Sequence, residues 1–378
     1  MIYLDNAATS FPRPETVLDE MDRVNRTLSV NTGRGGYKAA REASEIIQET
    51  KNRVETLFNC HGAADVIFTP SVTHAFNQIL NGLTFTENSV IYVSVYEHNA
   101  VARTVNRIQE ETGCCIEFLP VDPGTLKIDL EKTKYLFSVK KPDYVIMSVV
   151  SNVTGYRLPA ESVFGLAKEY GAVTIADAAQ AAGLVEIDYN TFNADIIGFA
   201  GHKTMCGPFG VGGFVLRKGL VLKPSFTGGT GSNSLNLNMP EDGSSRYEAG
   251  SPNVVAVSGL NAALKWLDRE DHEERIRQLT KRLILGLSEI DSVTVLGASD
   301  PDMCLGIVSF VVEGYDSNDI GSILDEEFDI AVRTGYHCAP FVHKYLEDQE
   351  YNGTIRAGIG PFNTEEDIDS LLSALKTL

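Results

Sequence analysis

Short apolar runs alternate with stretches in which apolar side chains return every three or four positions, and the alternation continues from about residue 15 to about 217. Residues 42–57 are amphipathic, 66–69 and 89–94 are strand-like, and 75–80 form an apolar helical stretch after the first of these strands. Residues 144–150 read as a strand buried on both faces, 160–170 as a helix and 173–176 as a second parallel strand. A further short strand over 194–199 runs into a Gly-His-Lys turn. Strand, helix and strand in that order make a crossover unit, so the pattern predicts a mostly parallel sheet flanked by helices.

The pattern changes after residue 217. A glycine-rich loop, 227–231, leads into a polar stretch over 232–250 with little periodicity, the kind of long loop that is usually functional. Helices are expected over 254–268 and 272–289, and strands over 292–296 and 306–312. A last helix over 364–378 opens on Thr364-Glu-Glu-Asp367 and places Ile368, Leu371, Leu372 and Leu375 on one face. The expectation is a large α/β domain, 15–253, and a smaller α+β domain built from 1–14 and 254–378.

Composition narrows the function. A chain of 378 residues with 43% hydrophobic content supports more than one core. The net charge of −19 argues against nucleic acid and against an anionic membrane as partner. The N-terminus does not read as a signal peptide, and no apolar run approaches the roughly 20 residues that span a bilayer. Six cysteines, at 60, 114, 115, 206, 304 and 338, lack the spacing of a disulfide framework and point to a reducing cytoplasm. No ligand cluster suggests a metal, and Gly228 to Gly231 lacks the lysine and following helix of a phosphate-binding loop.

The candidate chemistry lies at strand ends. Asp177 in Asp177-Ala-Ala-Gln180 follows one strand and Lys203 in Gly201-His-Lys203 follows the next, at the carboxyl edge where open α/β sheets bind ligands. A lysine amine can form a Schiff base with an aldehyde cofactor, and an aspartate can hold a pyridine nitrogen protonated. Alone, such residues are usually a surface charge and a cap; their shared setting makes them a pair. Thr69 to His74, between a strand and a helix, reads as an anion site at a helix start, with capping by Ser71 or Thr73 compatible with it.

Taken in order, these segments resemble the class V, fold-type I pyridoxal-phosphate enzymes, specifically the cysteine desulfurases and selenocysteine lyases, from Tyr3-Leu-Asp-Asn-Ala-Ala-Thr9 to Ile355-Arg-Ala357. The resemblance implies pyridoxal 5'-phosphate held by Lys203, Asp177 at the ring nitrogen, Gln180 at the ring hydroxyl and His98 stacked on the ring. It also implies phosphate contacts from Thr73, His74 and His202, and from Ser251 across a homodimer interface. Asn152 would touch ring hydroxyl and substrate carboxylate, Arg356 would grip that carboxylate with both arms of its fork, and Arg34 would face the substrate. Ala200 stands where relatives usually carry a phosphate-binding serine, and Gly33 where a polar residue is common.

Cys338 separates reaction from cofactor. It lies in Arg333-Thr-Gly-Tyr-His-Cys338, a run similar to that of the short-loop desulfurases, and nearby Arg333 and His337 would favour a thiolate. The implied reaction converts L-cysteine or L-selenocysteine to alanine, with a persulfide on Cys338 passing to a protein acceptor. Two alternatives stand beside it: another class V aminotransferase, lyase or epimerase, which needs no thiol, and a sulfur-relay scaffold dependent on its partner.

Overall fold

The computed structural model describes residues 1–32, 35–231, 235–268, 272–297 and 300–378. At its centre is a seven-stranded sheet. Its spatial order is Ala64–Thr69, Gly212–Arg217, Ile196–Ala200, Val173–Asp177, Tyr144–Ser148, Val90–Val93 and Cys115–Phe118. The last five run parallel, and Gly212–Arg217 is antiparallel to both of its neighbours. The chain is therefore α/β with a mostly parallel sheet, as its pattern predicts.

Successive side chains of a strand point to opposite faces, and both faces of this sheet are apolar. Tyr92, Val145, Met147, Ala176 and Ile197 pack with Phe137, Val163 and Phe164 in one cluster. Ile91, Val93, Ile146, Ile175 and Ile196 pack with Phe76, Ile79, Val101 and Val105 in another. The second cluster presses the helix Val72–Gly82 onto the sheet. At Gly198, register partner of Asp177, a Cβ would come within 2.9 Å of the Phe76 ring, so only glycine lets that helix approach so closely.

A second, four-stranded antiparallel sheet runs Arg333–Gly335, Thr354–Gly358, Ile307–Val312 and Val293–Leu296. Ile2–Tyr3 pairs with Ile330–Ala331, and Asp5 bridges to Gly358, which ties the N-terminal segment to this sheet. The helix Val254–Leu267 packs against the helices Glu15–Thr27 and Lys38–Leu57. Glu365–Leu375 is capped as its sequence predicts: Thr364 Oγ1 accepts from Asp367 N at 3.3 Å, and Thr364 N donates to Asp367 Oδ2 at 3.1 Å.

Candidate active site

The strand Ile196–Ala200 delivers a tight turn in which Cys206 N donates to Lys203 O at 2.8 Å and Gly207 N to Gly201 O at 2.7 Å. The N-terminal segment buttresses it, since Ser10 N and Thr9 Oγ1 both donate to His202 O at 2.9 Å. Burial pushes the Lys203 amine down to about 8, against the attraction of Asp177. Asp177, at the end of the adjacent strand, accepts from Ala179 N at 2.9 Å; burial raises its pKa, while that amide and Lys203 draw it back. Arg356, Cys338 and Asp5 also act on the Lys203 amine electrostatically, so residues from both sheets converge on it.

A third buried acid belongs to this cluster. Glu97 is fully buried, and burial pushes its carboxyl up to about 8 although Ser94 Oγ donates to it at 2.5 Å and Ser148 N at 2.8 Å. Asp177 raises it further by like-charge repulsion. Next in the chain, His98 caps the helix Asn99–Thr112, its Nδ1 accepting from Ala100 N at 3.0 Å. Its remaining proton therefore sits on Nε2. Burial, Lys203, Arg356 and Arg103 lower this imidazole to about 4, so it is neutral at physiological pH.

The helix start at Val72 lies over the strand that leads to Lys203: a Cβ on Gly212, register partner of Ala200, would meet Val72 N at 3.0 Å. Ser71 is the N-cap, accepting from His74 N at 3.3 Å and meeting His74 Nδ1 at 3.0 Å. Thr73 is exposed at the second helical position. The methyl group of Ala200 belongs to the buried apolar cluster that also holds Val72. His202 is lowered to about 4 by burial and by the nearby Lys203 and Arg13, and its Nδ1 is buried with no hydrogen-bond partner. Gln180 is buried with Nε2 donating to Ala7 O at 2.7 Å.

On the second sheet, Arg356 is 3% exposed. Its Nη2 donates to Asp5 Oδ1 at 3.0 Å and its Nη1 to Asn152 O at 2.9 Å, while Nε is buried without a partner. Arg333 grips the same carboxylate, reaching Asp5 Oδ2 at 3.0 Å through Nε and 2.7 Å through Nη2. Asp5 is thus the anchor for two guanidiniums. Neither Asp5 nor Glu97 stands out in the sequence, because a lone carboxylate has no spacing signal.

Cys338 is exposed on a four-residue turn. Ala339 N donates to Tyr336 O at 3.0 Å, and both central residues have positive φ, 45° at His337 and 56° at Cys338. That conformation favours glycine or asparagine and costs an ordinary side chain about 1–2 kcal/mol per residue. Outside contacts hold it: Asn152 Nδ2 donates to His337 O at 2.7 Å and Asn99 N to Cys338 O at 2.7 Å. Asn152 lies in the turn after the strand Tyr144–Ser148, and Asn99 opens the helix Asn99–Thr112 that follows the strand Val90–Val93. By contrast, burial pushes the Cys60, Cys206 and Cys304 thiols up to about 12.

One expectation is overturned here. His337 does not lie beside the thiol as a cation; it is buried, with Nε2 2.7 Å from Thr354 Oγ1, and burial together with Arg356 and His343 lowers it to about 2. Arg333, Arg356 and Lys203 are positive groups coupled to Cys338. The buried imidazole has a consequence for stability. Its folded pKa lies below the unfolded value near 6.5, so as pH falls from 6.5 the unfolded chain takes up a proton that the native state refuses, and stability is lost. Urea midpoints from pH 6.5 to 4 should fall less steeply for His337→Gln, by about one proton or ~1.4 kcal/mol per pH unit; parallel slopes would contradict this.

Two expected site residues stand apart. Ser251 is exposed and accepts from Asn31 Nδ2 at 2.9 Å, and Arg34 lies outside the described residues. Lys203, Asp177, His98, Arg356 and Cys338 are electrostatically coupled, so a depressed amine, a buried acid, a buried guanidinium and an exposed thiol meet at the carboxyl edge of a parallel sheet. Such a set can move protons, hold a carboxylate and present a nucleophile.

Residues 2–371 match the class-V aminotransferase family. The chain belongs to that family. A probable cysteine desulfurase from Pyrococcus abyssi is 32% identical to this class-V protein over the whole of its length and 94% of the relative. One from Mycobacterium leprae is also 32% identical, covering 99% and 91%. Among solved structures, a cysteine desulfurase from Thermococcus onnurineus NA1 superposes with a TM-score of 0.90 at 29% identity, over 99% of this chain and 94% of that one. The class-V fold is shared from end to end.

Proposed function

We propose that this class-V protein is a pyridoxal-phosphate-dependent cysteine desulfurase, converting L-cysteine to L-alanine and holding the sulfur as a persulfide on Cys338. The observation that carries the reading is an exposed cysteine on a tied-down turn, electrostatically coupled to both Lys203 and Arg356. The donor set fits the cofactor. Asp177 is a buried acid whose charge a protonated ring nitrogen would offset, and the unpartnered His202 Nδ1, if protonated, donates to a phosphate oxygen beside Thr73 and His74.

When bound, the cofactor supplies an electron sink at the substrate's α-carbon. Lys203 holds it through its aldehyde, and the same amine, near 8, shuttles a proton at the substrate carbon close to neutral pH. Neutral His98 would stack on the ring and Gln180 would meet the ring hydroxyl. Arg356 would receive the substrate carboxylate, its buried Nε being the donor still without a partner, steadied by Asp5 and with Asn152 alongside. Cys338, as its thiolate, attacks the substrate sulfur: an S–S bond forms, the C–S bond breaks with its electron pair left toward carbon, and alanine leaves after protonation there.

The same proposal includes a homodimer in which the exposed Ser251 reaches the partner's phosphate, and a protein acceptor for the persulfide. It includes a cytoplasmic setting, consistent with six cysteines that form no disulfide; among the described residues no helix is long and apolar enough to cross a membrane. It also divides the chain into a large domain, 15–253, and a small one, 1–14 with 254–378. The test is incubation of the holoprotein with L-cysteine and a reductant. Alanine and sulfide should appear in equal amounts, and an oxo-acid product without sulfide would overturn the reading.

A further inference from the structure

The turn that carries Cys338 is fastened from a side the reaction does not touch. Tyr336 O closes the turn by accepting from Ala339 N, and it accepts a second bond from His343 Nε2 at 2.9 Å. His343 opens the short helix His343–Leu346 and is buried. On the far side of its ring, Nδ1 lies 2.5 Å from Asp348 Oδ2, and Asp348 is 1% exposed. A backbone carbonyl can only accept, so His343 Nε2 carries a proton; the short Nδ1 to Oδ2 contact needs another between them.

We propose that His343, braced by Asp348, is a positioning residue for Cys338: it clamps the Tyr336 carbonyl and so holds the thiol-bearing turn in its positive-φ conformation. Two residues at positive φ relax unless their surroundings over-determine them. Asn152 and Asn99 tie the carbonyls of His337 and Cys338 to the large sheet. From the small sheet's side, Thr354 meets the His337 ring and His343 holds Tyr336 O, the carbonyl that closes the turn. The brace is anchored in turn, because Gly353 N donates to Asp348 O at 3.1 Å just before the strand that bears Arg356, and Gln349 Nε2 donates to His343 O at 2.8 Å. The Tyr336 ring packs edge-on against the imidazole with centroids 5.0 Å apart, limiting ring rotation. The clamp therefore links thiol position to Arg356 through one run of chain, 336–356.

The clamp's effect on rate rests on the desulfurase reading; its effect on the turn does not. The test compares two variants of the holoprotein. Asparagine at 343 places its amide nitrogen where Nδ1 was and loses the bond to Tyr336 O, whereas glutamine places its nitrogen where Nε2 was and keeps it. His343→Asn should speed hydrogen exchange at the Ala339 amide about five- to tenfold, as expected for one lost hydrogen bond. It should also lower kcat for alanine formation about tenfold with KM within about twofold, because a displaced nucleophile costs rate rather than binding. His343→Gln should recover most of both losses. Equal behaviour of the two variants, whether both match the wild type or both fail, overturns the clamp. If Cys338→Ala keeps desulfurase activity the reaction assigned above fails instead, and the exchange comparison still decides the clamp.

Discussion

Replacing Cys338 with alanine should lower sulfide and alanine formation from L-cysteine by at least about 10³-fold, the scale on which enzymes lose a nucleophile that forms a covalent intermediate. The loss should be that large because Cys338 is the exposed cysteine: Cys114 is buried, and half-buried Cys115 lies on the edge strand Cys115–Phe118 with its sulfur 2.7 Å from Lys140 Nζ. Cys60, Cys206 and Cys304 are buried with pKa values pushed up to about 12, so each is neutral and enclosed at physiological pH. Cys206 lies only three residues from Lys203, yet it points into the protein. Cofactor absorbance and L-cysteine KM should change little in Cys338→Ala, since Lys203, Asp177 and Arg356 do not depend on the thiol for their hydrogen bonds. Sulfide release at the wild-type rate would show that the persulfide is not on the path. On L-selenocysteine the penalty should be smaller, because selenium leaves more readily than sulfur.

Lys203→Ala should be equally severe for a different reason. The amine both holds the cofactor and moves the proton, and general acid–base catalysis alone accounts for about 10²–10⁴-fold. The variant should lose the yellow colour of the lysine-bound cofactor and form alanine at least about 10³-fold more slowly, with Tm close to wild type. Stability should hold because burial works against the charged amine, lowering it to about 8, so the site gives up catalysis rather than a stabilising ion pair. A variant that stays yellow and turns over normally would remove Lys203 from the mechanism. Together the two substitutions separate cofactor from reaction: one loses the colour, the other keeps it, and neither makes sulfide.

Much of this was legible in the chain. A buried apolar run followed at once by a polar residue marks the end of a parallel strand, and Asp177 and Lys203 both sit at such ends. Cys338 was separable from the other cysteines because a glycine-containing polar turn exposes a side chain while a strand or helix encloses it. His337 was misread for a physical reason. Neighbours in sequence on a turn with two positive φ values point in different directions, so the thiol faces outward while the imidazole is buried against Thr354.

What the sequence determined by itself was the class of fold, through apolar periodicity, and the chemical inventory: a lysine, an aspartate and a cysteine at positions that a sheet edge and a turn expose. Only the tertiary structure decided the charge states and the partners. Burial lowered Lys203 and His98 and raised Glu97, Asp5 became the shared anchor of two arginines, and His343 came to rest on the carbonyl beneath Cys338. Periodicity is a local property of the chain and survives in one dimension. Desolvation and hydrogen bonding depend on what residues hundreds of positions away bring within a few ångströms, and Arg356 with Asp5, 351 positions apart, is the plainest case.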